Sequence, residues 1–327
     1  MKEKHQRQTP ISSSYTNPTF ESISINNNEK PKLPAINDVS IVWKNLRYEI
    51  ANNVLGFDCC GDRQIIINRL NGHLHFNSLN GFLGPSGAGK TTLLNCLNGA
   101  LYSGLSEDSE IYFGESSSRS IRFIQQHVHE TIIGRMTVRQ VLYYAFCFKN
   151  PGQKNRFCQH TQAVLKELLL DETILDNTFE NCSGGEQRRI AIAQELMSLN
   201  KPTFLFIDEP TTGLDSHAAL LVMQCLRRLI IKSRMTILCS IHAPSSEIMA
   251  LFDKIYILAK GGVCIYSDSP ENLRPKLKQT IVDPEIVQML EDLEQPPVEV
   301  YLKIACQGMF TDHLYIFFTK IKSKSRY

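Results

Sequence analysis

One octapeptide, Gly84-Pro85-Ser86-Gly87-Ala88-Gly89-Lys90-Thr91, sets three glycines around a lysine and a hydroxyl. The spacing G-x-x-x-x-G-K-[ST] suits the cradling of phosphate. Glycines let the backbone curl until successive N–H groups point at one anion. A helix starting behind such a loop adds its positive N-terminal end. Lys90 can place a point charge on the β/γ-phosphates of a nucleoside triphosphate. The Thr91 hydroxyl, with Thr92 beside it, can reach a Mg²⁺ ion. The motif requires a strand before it and a helix after it. Phe82-Leu83 ends a predicted buried strand, and residues 90–98 carry a helical pattern.

A second signal is the apolar run Thr203-Phe204-Leu205-Phe206-Ile207 ending in Asp208-Glu209. Asp208 can hold Mg²⁺ through water, and Glu209 stands where a second carboxylate can polarise an attacking water. Taken alone, such a run is also an ordinary strand leading into a turn. The third signal is Ser183-Gly184-Gly185-Glu186-Gln187-Arg188-Arg189, just ahead of a helical pattern. Its glycines would free backbone N–H groups at a helix start, a place suited to phosphate. In isolation, Ser-Gly-Gly reads as a flexible turn.

Order along the chain decides between these readings. Gly84 to Thr91 comes first, then Phe123-Ile124-Gln125-Gln126, then the Ser-Gly-Gly segment, then Asp208-Glu209. Leu214-Asp215-Ser216 and Ser240-Ile241-His242 follow. This order resembles that of ATP-binding-cassette (ABC) domains: Walker A, Q-loop, signature, Walker B, D-loop and H-loop. The resemblance implies an α/β fold, a P-loop NTPase (RecA-like) core with an antiparallel β-subdomain and a helical signature subdomain. It implies ATP and Mg²⁺ as ligands and a second cassette packed head to tail. Ser183, Gly184, Gly185 and Glu186 would then act on nucleotide held by the partner cassette, and Asp215 would link the two sites. His242 would contact the γ-phosphate and help orient the water held by Glu209. Gln126 would touch Mg²⁺ and sense a membrane domain, with Gln125 as the neighbouring alternative. Tyr48, or Trp43 in second place, would stack on adenine; the other reading of both is a strand aromatic packed in the core.

Further segments resemble the G subfamily, the White-type half-transporters. They are the loop through Asn95, Met136-Thr137-Val138-Arg139, Ser240 to Ser246, and Leu251 to Leu258 with Gly261-Gly262 and Tyr266. That group carries the cassette ahead of six membrane helices and moves lipids, sterols, pigment precursors and other hydrophobic compounds. Some positions depart from the pattern. Cys182 replaces an aliphatic residue before the signature serine, Glu186 stands for Gln as is common in White-type members, and Ala243 follows His242. Residues 127–135 form an unusual Q-loop exit whose His127, His129 and Glu130 read as a solvated loop rather than a metal site.

The elements that must position these residues are readable too. Residues 40–50, 65–67 and 73–76 are strand candidates, being rich in β-branched and aromatic side chains. Residues 203–207, 236–241 and 254–259 are unbroken apolar runs, which predicts buried parallel strands. Helical spacing covers 137–148 and 160–170, then Ile190, Ala193 and Met197, then Val222, Leu226 and Leu229. Strands alternating with helices predict an α/β sheet. Residues 1–38 are polar and Pro/Asn/Ser-rich and read as a disordered tail. The cassette is expected over 39–275, with a helical subdomain at about 131–184. Residues 276–327 are expected to be an extension, interrupted at Pro296-Pro297 and basic at its end.

Bulk properties narrow the function classes. A net charge of +2 over 327 residues gives no general attraction to nucleic acid. Ten cysteines without C-x-x-C spacing, and no secretory leader, predict reduced thiols rather than a zinc or disulfide framework. No run reaches the roughly 18 apolar residues of a membrane span; the best are 141–148 and 314–318. The expected function is ATP binding and hydrolysis on the cytoplasmic face of a membrane, powering a White-type transporter whose membrane domain lies outside this chain. The alternative is a truncated, non-transporting cassette that binds ATP or a partner cassette in a regulatory role. A soluble DNA-repair or translation cassette is disfavoured by the single cassette, the short insert between Lys90 and Ser183, and the lack of a basic face.

Overall fold

The computed structural model describes residues 39–51, 63–114, 120–128, 131–280 and 297–307. The expected N-terminal tail, the basic end, and His129 and Glu130 lie outside the described residues. Among the described residues, nine strands fall into two sheets. The smaller is antiparallel, in the order β2-β1-β4. Its strands are β1 (Val39–Ala51), β2 (Arg63–His75) and β4 (Glu110–Phe113). The strand candidates 65–67 and 73–76 are two parts of β2, which pairs with β1 along its length through several register shifts.

The larger sheet has the order β5-β6-β7-β3-β8-β9. It contains β3 (Leu79–Leu83), β5 (Ile121–Ile124), β6 (Phe204–Ile207), β7 (Thr236–Ile241), β8 (Lys254–Ala259) and β9 (Val263–Asp268). From β5 to β8 every pairing is parallel, and β9 closes the edge antiparallel to β8. Both faces of this sheet are covered, so its central strands need no polar alternation. Successive side chains go to opposite sides. Phe204 and Phe206 join a core with Trp43, Phe82 and Tyr256, while Leu205 and Ile207 join a second core with Ile190, Leu226 and Ile257.

The first core lies between the two sheets and under α1 (Lys90–Asn98). The second lies under α2 (Val138–Lys149), α3 (Phe157–Glu167), α4 (Gly184–Leu196) and α5 (Ser216–Ser233). Helix α2 starts with a capping box. The Thr137 hydroxyl accepts from the Gln140 N–H, and the Gln140 side chain accepts from the Thr137 N–H. Such a pair satisfies two orphan donors of the first turn. A short α6 (Ser246–Met249) and α7 (Leu273–Thr280) follow β7 and β9. Helix α8 (Pro297–Gln307) begins on the second of the two prolines, because a proline at the first helical position loses no intrahelical bond. Val300, Tyr301, Ile304 and Ala305 of α8 are buried, and the Lys260 N–H donates to the Ala305 carbonyl at 3.2 Å. The core therefore continues past residue 275. Among the described residues no helix is long and apolar enough to cross a membrane.

Candidate nucleotide site

The C-terminal ends of β3, β5, β6 and β7 gather the residues singled out from the sequence. Parallel pairing sets Ile124 beside Ile207 and Ile207 beside Cys239. The residues just past each strand are thereby brought together, the general location for ligands in open parallel sheets. The loop after β3 curls through positive φ at Gly84 (148°), Gly87 (78°) and Gly89 (90°). At Gly84 the close approach is absolute: a Cβ there would lie 2.3 Å from the Leu258 carbonyl oxygen of β8. Pro85, Gly89 and Ala88 are buried, while Ser86 and Gly87 are exposed at the tip.

Lys90 is only 5% exposed, and its ammonium donates to the carbonyls of Gly84 at 2.8 Å and Pro85 at 3.0 Å. Burial lowers its pKa, and the carboxylates of Glu209 and Asp208 oppose that shift. Thr91, on the first turn of α1, donates to both oxygens of Asp208, at 3.1 and 2.9 Å. Asp208 also accepts from the Ser240 hydroxyl. A hydroxyl facing a buried carboxylate is a hard-oxygen donor set of the kind Mg²⁺ takes, so these residues fit that ion.

Glu209 is held at its N–H, its carbonyl and one carboxylate oxygen. Its N–H donates to Ser240 Oγ at 2.9 Å, and its carbonyl accepts from Arg188 at 3.2 Å. Its Oε2 accepts from Gln126 Nε2 at 2.9 Å and from Thr212 Oγ1 at 2.8 Å. Its backbone has φ of 46°, in the left-handed region, which costs a side-chain-bearing residue about 1–2 kcal/mol. Of the two candidate glutamines, Gln126 is the one whose side chain meets Glu209, while the Gln125 carbonyl accepts from Arg188.

The signature segment starts α4. Ser183 is its N-cap, and Glu186 closes a capping box by accepting from both the N–H and the hydroxyl of Ser183, at 2.8 Å each. The glycines have a further reason to be glycines. A Cβ on Gly184 would lie 3.1 Å from Leu214, and one on Gly185 3.0 Å from Ala218. The signature thus packs tightly on the segment after Glu209 and on α5. Asp215 caps α5 by accepting from the Ala218 N–H at 2.9 Å, and that bond holds its carboxyl below the usual range. Ser183, Gly184, Asp215 and His242 are exposed, and His242 stands one residue beyond the end of β7.

Tyr48 is not gathered in. It is 7% exposed and packs on the turn at Gly104, where a Cβ would sit 3.1 Å from its ring. Trp43 is 1% exposed and lies between Phe82 and Tyr256. Both aromatics follow the core reading, because their strand turns them between the two sheets. In the other direction, Ser240, Thr212 and Arg188 belong to the site and went unassigned in the sequence. Ser240 and Arg188 stood inside quoted motifs, but nothing local marks which of their neighbours they meet.

Loop, paired carboxylates and helix cap define a P-loop nucleotide-binding cassette. The family model described as ABC transporter matches residues 67–212. Similar curated proteins are G-family ABC transporters. Member 11 of Arabidopsis thaliana is 32% identical over 257 residues, covering 73% of this chain and 34% of the relative. Member 1 of Dictyostelium discoideum is 33% identical over 229 residues, covering 64% and 27%. The chain spans about a third of the length of the first curated relatives it matches. Among solved structures, cbiO1 from Clostridium perfringens, part of the ABC transporter complex cbiONQ, is similar in fold. Its TM-score is 0.57 at 23% identity, covering 78% of this chain and 99% of that one. Residues 67–212 thus carry the ATPase domain of the ABC transporter family, and the chain is similar to members of the G subfamily.

Proposed function

We propose that this cassette binds Mg·ATP on the loop at residues 84–91 and hydrolyses it as one half of a two-cassette dimer that drives a G-type transporter. The observation that carries the reading is the pair of carboxylates past β6, fixed in two different ways. Asp208 faces the Thr91 hydroxyl, and Glu209 faces Gln126.

Lys90 would exchange its two loop carbonyls for the β/γ-phosphates, gaining charge-assisted bonds for neutral ones. The N–H groups of residues 86–92 would line the phosphates at the start of α1. Thr91 and Asp208, with Gln126 alongside, would hold Mg²⁺, which supplies neutralisation of charge on the phosphate oxygens when bound. Glu209 would accept a hydrogen bond from the attacking water and orient it toward the γ-phosphorus, and His242 would steady the γ-phosphate oxygens. Catalysis of this kind is positioning and electrostatics rather than covalent chemistry.

Ser183, Gly184, Gly185 and Glu186 would face nucleotide held by a second cassette, and Asp215 would cross to that site. The exposure of Ser183, Gly184 and Asp215 in the single chain supports this assignment. In this reading residues 39–275 form the body of the motor and 131–184 its helical part, at the cytoplasmic face of a membrane. A transmembrane domain completes the transporter and sets its hydrophobic cargo, lipid, sterol or pigment precursor. Tyr48 takes no part, since its ring is already packed.

The test is Glu209→Gln. A fluorescent ATP analogue should bind as to the wild type, while turnover falls about a thousandfold. Near-normal hydrolysis by the variant would remove Glu209 from the chemistry.

A further inference from the structure

Arg188, like its neighbour Arg189, is a buried charge whose hydrogen-bond acceptors are all backbone carbonyls. It lies on the second turn of α4, is 5% exposed, and has no carboxylate within ion-pair distance among the described residues. A guanidinium stays charged in a protein, and its planar fork can bind several acceptors in fixed directions. Here all three of its acceptors are backbone carbonyls. One terminal nitrogen donates to Gln125 O at 3.1 Å; the other donates to Gln126 O at 2.8 Å and to Glu209 O at 3.2 Å. Burial lowers its pKa, and the nearby charges of Asp208 and Glu209 counter that.

These carbonyls follow two adjacent strands, β5 and β6, which the Asp208 N–H also ties together by donating to Ile124 O at 2.9 Å. The fork therefore fixes how far the glutamine loop stands from the carboxylate loop. It also holds one side of Glu209, whose other side is held by Ser240 and whose φ is 46°. A left-handed glutamate persists only where its surroundings over-determine it. Arg188 is one of the two groups that hold the backbone of Glu209 from outside its own turn.

We infer that Arg188 is a positioning residue. It sets the separation of Gln126 and Glu209 and ties that geometry to the signature helix whose N-cap is Ser183. The inference rests on the hydrolytic reading of Glu209 and extends it. Nucleotide meeting the start of α4 acts on the same rigid helix that grips the chain's own catalytic loop. The two sites of a dimer would thus be coupled through this side chain.

Arg188→Met keeps the length and apolar stem and removes the fork. Its Kd for ATP should stay within about threefold of wild type, while kcat falls about a hundredfold, the scale of a misplaced reacting group. Amide exchange over residues 208–212 of the nucleotide-free protein should speed up. Glu209→Gln should lose turnover with that exchange unchanged. Arg188→Lys keeps the charge but cannot span the three carbonyls, so it should recover only part of kcat at an unaltered thermal midpoint. Wild-type kcat in either Arg188 variant, or a Kd rise equal to the kcat loss, overturns the inference. Should Arg188→Met fail to fold, Arg188→Lys alone decides by the same criterion. If Glu209→Gln hydrolyses normally, the hydrolytic reading fails, and faster exchange in Arg188→Met still upholds the positioning role.

Discussion

The candidate residues divide into an inward half and an outward half. Lys90 and Asp208 are each 5% exposed, and their partners are Gly84, Pro85, Thr91 and Ser240 of the same chain. Ser183, Gly184, Asp215 and His242 are exposed, and the bonds of Ser183 and Asp215 merely cap their own helices. The inward half is complete within one chain. In the proposed dimer the outward half would act on nucleotide held by the other chain. A buried polar group must find a partner, whereas an exposed one is satisfied by water. Function therefore leaves geometric evidence in the first half and only exposure in the second.

The difference can be broken most sharply at Lys90. Lys90→Ala should raise the Kd for ATP about a hundredfold, the worth of a charged hydrogen-bonding group lost to phosphate. Equilibrium titration measures it, and an unchanged Kd would show that the ammonium belongs to the loop and not to a ligand. Ser183→Ala should leave that Kd alone and cut turnover about tenfold through the lost hydroxyl contact. Mixing the Lys90→Ala and Ser183→Ala chains tests the outward half directly. Each mixed pair contains one intact loop facing one intact signature, so turnover should rise above that of either variant alone. If the mixture turns over no faster than the Ser183→Ala chain alone, the site is not shared.

The smallest effect is expected at Asp215, where capping is the only local duty. The bond from Ala218 lowers the folded-state pKa below the unfolded value of about 3.9. Its stabilisation is therefore present above that value and lost as the pH falls through the lower, folded one. Asp215→Ala should lower the thermal midpoint slightly at neutral pH, and the gap should close in acid. A gap that persists at low pH would mean that the carboxylate is not what the cap uses.

The sequence was most readable where chemistry and local structure share the same few residues. Helix α1 starts at Lys90 as expected, because the glycine loop dictates both the phosphate cradle and the helix start. Strand β8 covers 254–259 as read, since the five apolar residues after Lys254 have few other fates in an α/β chain. The Arg188 fork was not readable. Its acceptors lie 63, 62 and 21 positions away, and peptide carbonyls carry no residue identity to recognise. Tyr48 was left between two readings for a related reason: an aromatic on β1 looks the same in sequence whether its ring meets a base or the Gly104 turn. Strand β2 was seen in fragments, because the polar residues Asn68, Arg69 and Asn71 interrupt its apolar pattern.

The left-handed backbone of Glu209 carries a further consequence. Glycine occupies that region without penalty, and asparagine tolerates it better than glutamate does. On the role proposed for Glu209, conformational ease and hydrolytic chemistry favour different amino acids at this position. A descendant of this cassette released from turning over ATP would gain by drifting to Gly or Asn at 209. The identity of that one residue is thus a compact record of whether a lineage still uses its fuel.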